Sequence, residues 1–390
     1  MLFFKEPLIA EGDADVYEVN VSNPQKAKGY ITYTIKTTEK STGVEATVQR
    51  RYNDFLWLLE VLQAEHPSSV IPPLPEKSLT NKYSVELLEQ RTRELSIFLK
   101  KTVLHPLIVS NAALRDFLFT EDGDAFAAKK KEYQPKVVGP TTLPTGIMGT
   151  VRSSISNIGF AFGATKAEDP DPWFADQMAE LDRTEAALTK VLMSSFVLAR
   201  EYKELAQADA LNNAALGILA KELEGFDDAS AGRIGHVNHA AEQRVKVSMD
   251  MGNYIEHEFH DCIKDYIREV NSFRFVCEKR IEYVRAYTVA LANAKDPKTR
   301  EEGARLDRVK ARALAELDAF SKTAKADMAR AAESRKKELL NLVTALASFS
   351  AESAQQMYGP WNSALTASIT DDINSVVEGS PSASSGSVDF

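Results

Sequence analysis

The pattern of hydrophobic and polar positions divides the chain into two halves of different kind. In the second half, residues 173–216, 253–296 and 304–358 contain neither glycine nor proline, and apolar residues recur in them every three or four positions. Helical patterns of this length far exceed the mean globular helix of about 11–12 residues and are typical of coiled coils and bundles. The pattern predicts three very long helices that fold back on one another as an elongated three-helix bundle. The large lateral surface of such a bundle favours pairing with a second copy.

The clearest apolar seam lies on the second of these helices and includes both cysteines of the chain. Its members are Ile255, Phe259, Cys262, Tyr266, Val270, Phe273 and Cys277. Because both cysteines lie on this seam, we expect them to pack as small hydrophobic side chains. Two cysteines are also too few for a disulfide framework or for a zinc site with four cysteine ligands.

The first half alternates apolar and polar residues over short, β-branched stretches. With turn residues between them, these stretches predict an antiparallel three-stranded sheet at residues 16–21, 30–37 and 46–52. Helical periodicity follows at residues 53–65, 84–103 and 112–119, and the proline-rich loop Ile71–Pro75 separates the first two helices. The pattern therefore predicts a small α+β domain over residues 1–121.

Residues 122–172 join the two halves and predict a linker that contains an amphipathic helix at residues 147–162. The apolar face of this helix consists of Ile147, Val151, Ile155, Ile158 and Phe162, and its polar face is rich in serine. Such a helix either inserts into the interfacial layer of a membrane or packs on the bundle as a core helix. The long helices are expected to end near residue 365, and the Ser/Gly-rich end of the chain predicts a disordered tail at 366–390.

The composition is that of a soluble globular chain. The 390 residues are 44% hydrophobic and 26% charged, and the formal net charge is −9. This negative charge argues against a general nucleic-acid-binding protein. The N-terminus lacks the apolar core of a signal peptide, and no run of about 18 uncharged apolar residues could span a bilayer. We therefore expect a protein of a reducing compartment whose role at a membrane, if it has one, is peripheral.

Patterns that would indicate catalysis or metal binding are weak. His257 and His260 have one residue too few between them for a zinc-protease motif, and no third ligand is evident. Neither a phosphate-cradling glycine loop nor a nucleophile elbow nor a paired-carboxylate site is evident. We expect no enzymatic activity, no metal and no cofactor.

Three separated motifs in the first half belong together. They are RRYNDF at Arg50–Phe55, PPLPEK at Pro72–Lys77, and Arg91 followed by an apolar helical run. This combination resembles a phox-homology (PX) domain. With the long helices, residues 15–365 resemble the sorting nexins of the PX-BAR type, in particular the retromer-associated group. The resemblance implies an α+β PX domain over 1–121, with a three-stranded antiparallel sheet plus helices, followed by an all-α elongated three-helix BAR coiled-coil bundle over 173–365.

The resemblance also implies a binding site for a 3-phosphorylated inositol headgroup. Arg51 would bind the 3-phosphate, where a guanidinium can form paired charge-assisted hydrogen bonds. Tyr52 would pack its ring on the inositol, Lys77 would meet the 1-phosphate, and Arg91 would bind the 4- and 5-hydroxyls. Arg50 is interpreted as a structural or surface residue. Alternatively, the Arg-Arg-Tyr sequence is only a solvated strand end.

The proline-rich loop has two alternative interpretations of its own. It could be no more than a rigid connector between two helices. Its apolar tip, Val70–Ile71 with Leu74, could instead dip into lipid, as the resemblance implies, together with the nearby Leu79 and Tyr83.

The turn between the second and third long helices carries a basic cluster. Its members are Lys295, Lys298, Arg300, Arg305, Arg308, Lys310 and Arg312, and four acidic residues among them leave a local charge of +3 (7 − 4). A basic tip on an acidic protein suits an anionic membrane. The alternative is a solvated helical hairpin with charge pairs one turn apart.

Together these features predict a peripheral membrane protein that binds phosphatidylinositol 3-phosphate and senses or induces curvature. The resemblance implies endosomal sorting and retrograde endosome-to-Golgi transport with a retromer-like complex, at early endosome membranes and tubules. It also implies a homodimer or a heterodimer with another PX-BAR nexin. Alternatives are a coiled-coil protein-interaction adaptor, a PX-BAR nexin of another recycling or autophagy route, and tolerance of a 3,5-bisphosphate.

Overall fold

A three-stranded antiparallel sheet opens the fold. The computed structural model describes residues 15–27, 29–76, 85–141 and 171–378. Strands β1 (Tyr17–Lys26), β2 (Ile31–Glu39) and β3 (Val44–Arg51) pair in the order β1-β2-β3, as the alternation predicts. Thr32 faces Arg51 at one end of the sheet and Glu39 faces Val44 at the other. At this second end Gly43 takes a φ of +69°, which favours glycine in the β2–β3 turn.

Helices cover the sheet and complete the first core. They are α1 (Tyr52–Glu65), α2 (Val85–Val103), α3 (Ala112–Phe119) and α4 (Gly123–Glu132). Phe55 lies at the centre of this core, with its ring 5.0 Å from that of Phe117 and 6.2 Å from that of Phe98. Helix α4 lies beyond residue 121, and its Phe126 packs into the same core. We refer to residues 15–141 as the N-terminal domain.

The rest of the described chain is helical, which confirms the predicted fold class. Helix α5 spans Pro172–Leu223 and α6 spans Asp228–Tyr254, and a π-helical turn at Ile255–Phe259 joins α6 to α7 (His260–Asn293). Helix α8 runs from Arg300 to Glu378. It therefore extends into the predicted tail over residues 366–378, because no glycine or proline interrupts the chain between Pro360 and Gly379.

The chain divides into two compact units. One consists of residues 1–190 with 263–340, and the other of residues 191–262 with 341–390. In the first unit, an apolar cluster joins the start of α5 to α7 and α8. Its buried members include Phe174, Phe273, Cys277, Phe320 and Met328, so Cys277 packs as a small hydrophobic side chain.

In the second unit, a smaller cluster forms around the π-helical turn. Tyr254 stacks on Phe349 with ring centres 4.3 Å apart. Gly252 permits a close approach of α5 and α6, because a Cβ atom at this position would lie 2.8 Å from Lys203 Cγ and 3.0 Å from the carbonyl oxygen of Ala199. Real Cβ atoms almost never make contacts this short, so close packing requires the glycine here.

Within the first unit, the N-terminal domain docks on α7 and α8 through buried charges. Lys101 of α2 lies 3.1 Å from Asp265 and 2.9 Å from Glu338. Asp327 of α8 lies 3.2 Å from His105 Nε2 and accepts a 2.7 Å hydrogen bond from the backbone N–H of Val70. Because unpaired buried charges are costly, these pairs fix the docking geometry more than they add stability.

Glu269 lies near these buried charges, and its pKa differs strongly from the ordinary value of a glutamate. Burial raises the pKa of Glu269 to about 7, and the nearby Glu338 and Asp265 add to this effect while Lys101 and Arg335 oppose it. The folded protein therefore keeps this proton to a higher pH than the unfolded chain does. Protonated Glu269 favours the folded state at low pH, and this advantage is lost as the pH rises from about 4.5 to about 7.

We predict that Glu269→Gln, which imitates the protonated acid, stabilises the docked unit at pH 8 by on the order of 3 kcal/mol. The gain should shrink to below about 1 kcal/mol at pH 5, where wild-type Glu269 holds its proton in the folded state but in only about a quarter of the unfolded chains. Thermal unfolding of both proteins at the two pH values measures this. Glu301→Gln, at an exposed position of α8, is the control and should give no pH-dependent difference. An equal gain at both pH values would contradict the prediction.

Candidate functional site

Two consecutive arginines at the end of β3 lie in opposite environments, because successive strand residues point to opposite faces. Arg50 points inward and is 1% exposed. Its guanidinium donates to the carbonyl oxygens of Phe117 (3.0 Å) and Thr120 (2.7 Å) and lies 3.8 Å from the Phe126 ring centre. Burial lowers the pKa of Arg50 to about 10. Arg50 therefore holds the C-terminal end of α3, which agrees with its interpretation as a structural residue.

Arg51 points the other way, and its side chain is 48% exposed. Its guanidinium lies 5.6 Å from the ring centre of Tyr30, and its Nε lies 3.7 Å from Asp54. The backbone N–H of Arg51 donates to the Asp54 carboxylate at 3.0 Å, which anchors the first turn of α1. Lys130 of α4 also pairs with Asp54 at 2.7 Å. The Arg51 side chain is therefore positioned at the sheet end but remains accessible.

Tyr52 and Arg91 meet at the end of the proline-rich loop. The Tyr52 hydroxyl donates to the carbonyl oxygen of Pro75 at 2.6 Å, and Arg91 Nη2 donates to the carbonyl oxygen of Glu76 at 2.6 Å. The Arg91 guanidinium lies 5.1 Å from the Tyr52 ring centre, which is cation–π range. Burial raises the pKa of Tyr52, against the opposing charge of Arg91. The strand end, the loop and helix α2 thus converge here.

Arg91 keeps unused hydrogen-bonding capacity at this junction. Its Nε is buried and has no hydrogen-bond partner among the described residues. The guanidinium carries five N–H donors, so a ligand oxygen could bind it without displacing the contact to Glu76. The geometry is suited to a compact anion with hydroxyl groups.

Of the four residues predicted to bind the headgroup, three lie in the described part of the chain. Arg51 and Tyr52 are consecutive, and Arg91 contacts Tyr52. Lys77 lies outside the described residues, although its neighbour Glu76 belongs to the junction. The predicted amphipathic stretch, with Ile147, Val151, Ile155, Ile158 and Phe162, also lies outside them.

The suggestion that Val70 and Ile71 dip into lipid is wrong. Both side chains are buried, Ile71 in the core of the N-terminal domain and Val70 in the apolar cluster of α5, α7 and α8. The physical reason is the docking contact, because the N–H of Val70 donates to the Asp327 carboxylate. Leu74 is partly buried against the N-terminal core, and Leu79 and Tyr83 lie outside the described residues.

The basic cluster between α7 and α8 is largely exposed. Six of its members are exposed and Lys310 is half-buried; the exposed ones are Lys295, Lys298, Arg300, Arg305, Arg308 and Arg312. Two of the seven pair along the helix, Lys310 with Asp307 at 3.0 Å and Arg312 with Glu316 at 3.1 Å. These two pairs match the solvated-hairpin alternative in part, while the other five have no ion-pair partner among the described residues.

Sequence reasoning missed three residues near the site. Tyr30, beside Arg51, is predicted from the sequence only as the first residue of a strand. Glu94 lies one turn after Arg91 on α2, a spacing that is visible in the sequence. Arg268 of α7 binds Glu94 at 2.5 Å, and no local pattern could have paired residues so far apart in the chain.

No described helix is long and apolar enough to cross a membrane. Within the same ranges, no group of three or more His, Cys, Asp or Glu side chains is arranged to hold a metal ion.

Comparisons with known proteins match both halves of the chain. A PX domain family model matches residues 38–121, and a model described as Vps5 C terminal like matches residues 147–318. The first match contains the junction of Arg51, Tyr52 and Arg91, and the second contains α5 to α7 with the basic cluster.

Curated relatives align over most of the chain. Sorting nexin-30 of Mus musculus is 27% identical over 379 residues, which cover 90% of this chain and 78% of that protein. Vacuolar protein sorting-associated protein vps5 of Schizosaccharomyces pombe is 27% identical over 290 residues, which cover 68% of this chain and 47% of that protein. Sorting nexin-1 of Mus musculus is 26% identical over 324 residues, covering 77% and 59% respectively. The chain therefore spans only about half the length of the last two.

A solved structure shares the fold. It is the cryo-EM structure of the SNX-BAR Mvp1 tetramer, with a TM-score of 0.67, 15% sequence identity, and coverage of 89% of this chain and 99% of that chain. At this identity the likeness concerns the fold alone.

Proposed function

This chain is a homologue of the sorting nexins that join a PX domain to a Vps5 C-terminal, BAR-like domain, and we propose that it binds phosphatidylinositol 3-phosphate on endosomes. The homology supports a role in endosomal sorting, membrane curvature and protein transport. Within that role we propose peripheral attachment to early endosomes and retrograde endosome-to-Golgi transport with a retromer-like complex. The relatives are trafficking proteins of a family that is typically non-enzymatic, and we propose no catalytic activity for this chain.

The observation that carries the lipid proposal is the junction of Tyr52, Arg91 and the proline-rich loop, with Arg51 exposed beside it. Arg51 would form charge-assisted hydrogen bonds to the 3-phosphate. Tyr52, fixed by its hydrogen bond to Pro75, would offer its ring to the inositol. Arg91 would use its remaining donors for the 4- and 5-hydroxyls, and Lys77 would reach the 1-phosphate.

The basic cluster supports a second contact with the membrane. Each exposed lysine or arginine near an anionic surface contributes about 1 kcal/mol.

The amphipathic stretch at 147–162 would insert nearby, since both of its flanks are held on α8. Thr141 donates its backbone N–H to Glu316 at 3.0 Å, and Asp171 pairs with Lys325 at 2.8 Å. Nine helical residues, about 14 Å, separate these two anchors.

An apolar surface on α5 supports dimerisation. Val191, Leu198 and Leu205 recur every seven residues and are exposed, as are the neighbouring Met193 and Phe196. The small residues Ser195, Ala199 and Ala206 are buried on the same helix. Large exposed apolar patches mark interaction surfaces, and a seven-residue repeat is typical of helix pairing. We propose that a second copy, or another PX-BAR nexin, covers this surface.

We predict that Arg51→Ala abolishes the preference for vesicles that contain phosphatidylinositol 3-phosphate in phosphatidylcholine. One charged hydrogen bond contributes about 1.5–3 kcal/mol, which corresponds to a loss of at least about tenfold in affinity. Sedimentation with vesicles that contain or lack the phosphoinositide measures this preference. An additional set with the 3,5-bisphosphate would show whether that isomer is tolerated.

Arg115→Ala is the matched control for that experiment. Arg115 is also an exposed arginine of the N-terminal domain, but it pairs with Glu39 at 2.9 Å, at the opposite end of β2 from the partner of Arg51. This variant should keep the preference. If the wild-type protein bound both kinds of vesicle equally, the lipid proposal would be wrong. Failure to bind any vesicle, together with a stable protein complex, would favour the coiled-coil adaptor.

We predict that the double substitution Leu198→Glu and Leu205→Glu makes the protein monomeric, because it places two carboxylates in the proposed apolar interface. Analytical ultracentrifugation of the full chain at micromolar concentration measures the mass. Leu107→Glu, at an exposed leucine of the N-terminal domain, is the control and should leave the dimer intact. A dimer that survives the double substitution would exclude this surface as the interface.

A further inference from the structure

Glu94 places a carboxylate near the residues proposed to bind the headgroup, where its negative charge opposes the binding of a phosphate. Glu94 follows Arg91 by three residues on α2, so the two side chains share one face of the helix. Glu94 is 8% exposed. Burial raises the pKa of Tyr52, and the charge of Glu94 adds to this while those of Arg91 and Arg268 oppose it. The four groups therefore share one electrostatic neighbourhood.

Arg268 of α7 reaches this carboxylate from the helical region. Its Nη2 donates to Glu94 Oε1 at 2.5 Å, and its side chain is 13% exposed. Its Nη1 lies 3.6 Å from Asp265, which also pairs with Lys101. The guanidinium is thus fixed on both sides, and it supplies Glu94 with a positive partner that does not belong to the N-terminal domain.

We propose that Arg268 is a positioning residue for the lipid site, because it neutralises Glu94 and leaves Arg91 available to the headgroup. This inference rests on the proposed function. Without Arg268, the buried Glu94 carboxylate would lose this charge partner, and Arg91 lies at pairing distance from it along the helix. Glu94 would then repel the incoming phosphate and compete with the inositol hydroxyls for Arg91. The headgroup site is complete only when the N-terminal domain is docked on α7.

The test measures affinity of the full chain for dibutanoyl phosphatidylinositol 3-phosphate by titration calorimetry. This short-chain lipid reports the headgroup site without curvature or avidity. A negative charge left uncompensated beside the headgroup in a partly aqueous site weakens binding on the order of tenfold. Arg268→Ala should therefore bind about tenfold more weakly than wild type, and Glu94→Gln should bind at least as tightly as wild type. Arg268→Ala combined with Glu94→Gln should return to within about twofold of wild type.

A merely structural role for Arg268 would give a different ranking. If Arg268 acted only as a clamp between the domains, the double variant would stay as weak as Arg268→Ala, and this would overturn the proposal. Arg274→Ala is the matched control, since Arg274 is also on α7 but pairs with Asp182 and Glu185 of α5. It should bind as wild type does.

The remaining outcomes also decide the question. If Arg268→Ala fails to fold, Glu94→Gln alone decides, and weaker binding than wild type would overturn the proposal. If wild type binds the short-chain lipid but the double variant is not rescued, only this inference fails. If wild type does not bind the lipid at all, the proposed function fails with it.

Discussion

The candidate site depends on hydrogen bonds to two backbone carbonyl groups at the end of the proline-rich loop. Pro72, Pro73 and Pro75 lack N–H groups and keep the chain extended, so the loop cannot satisfy its carbonyls by forming a helix or a strand pair. Tyr52 and Arg91 donate to the carbonyls of Pro75 and Glu76 instead. These two hydrogen bonds join the strand end, the loop and α2. They also hold an aromatic ring and a guanidinium side by side.

The alternation of side chains along β3 gives its two arginines different environments. The alternation of β3 buries Arg50, which holds carbonyls at the end of α3, and exposes Arg51. A guanidinium is suited to both tasks, because it offers several donors in a fixed plane. Which task each arginine performs is decided by its side of the strand.

Much of this could be predicted from the sequence, because it depends on local periodicity. Alternation predicted the sheet, and glycine- and proline-free runs predicted the long helices. The RRYNDF motif indicated Arg51 and Tyr52, and the separate motif of Arg91 with its apolar helical run indicated Arg91. Helix α4 was not predicted, since its sequence is dominated by charge and only Phe126 packs into the core. The end of α8 was predicted too early, because the Ser/Gly-rich residues after Gly379 dominated the prediction, although Ile369, Ile373 and Val376 recur at helical spacing.

Contacts between distant segments could not be predicted, and they shape both the loop and the charge of the site. Val70 appeared as an apolar loop tip, yet it packs under α8 because Asp327 binds its N–H. The Glu94–Arg268 pair depends on docking. A structure of the full chain with dibutanoyl phosphatidylinositol 3-phosphate tests the central claim most directly. We expect the 3-phosphate about 2.7–2.9 Å from the Arg51 guanidinium, with the inositol ring against Tyr52 and its hydroxyls bound by Arg91. A headgroup bound at another surface, without contact to Arg51 or Arg91, would contradict the account.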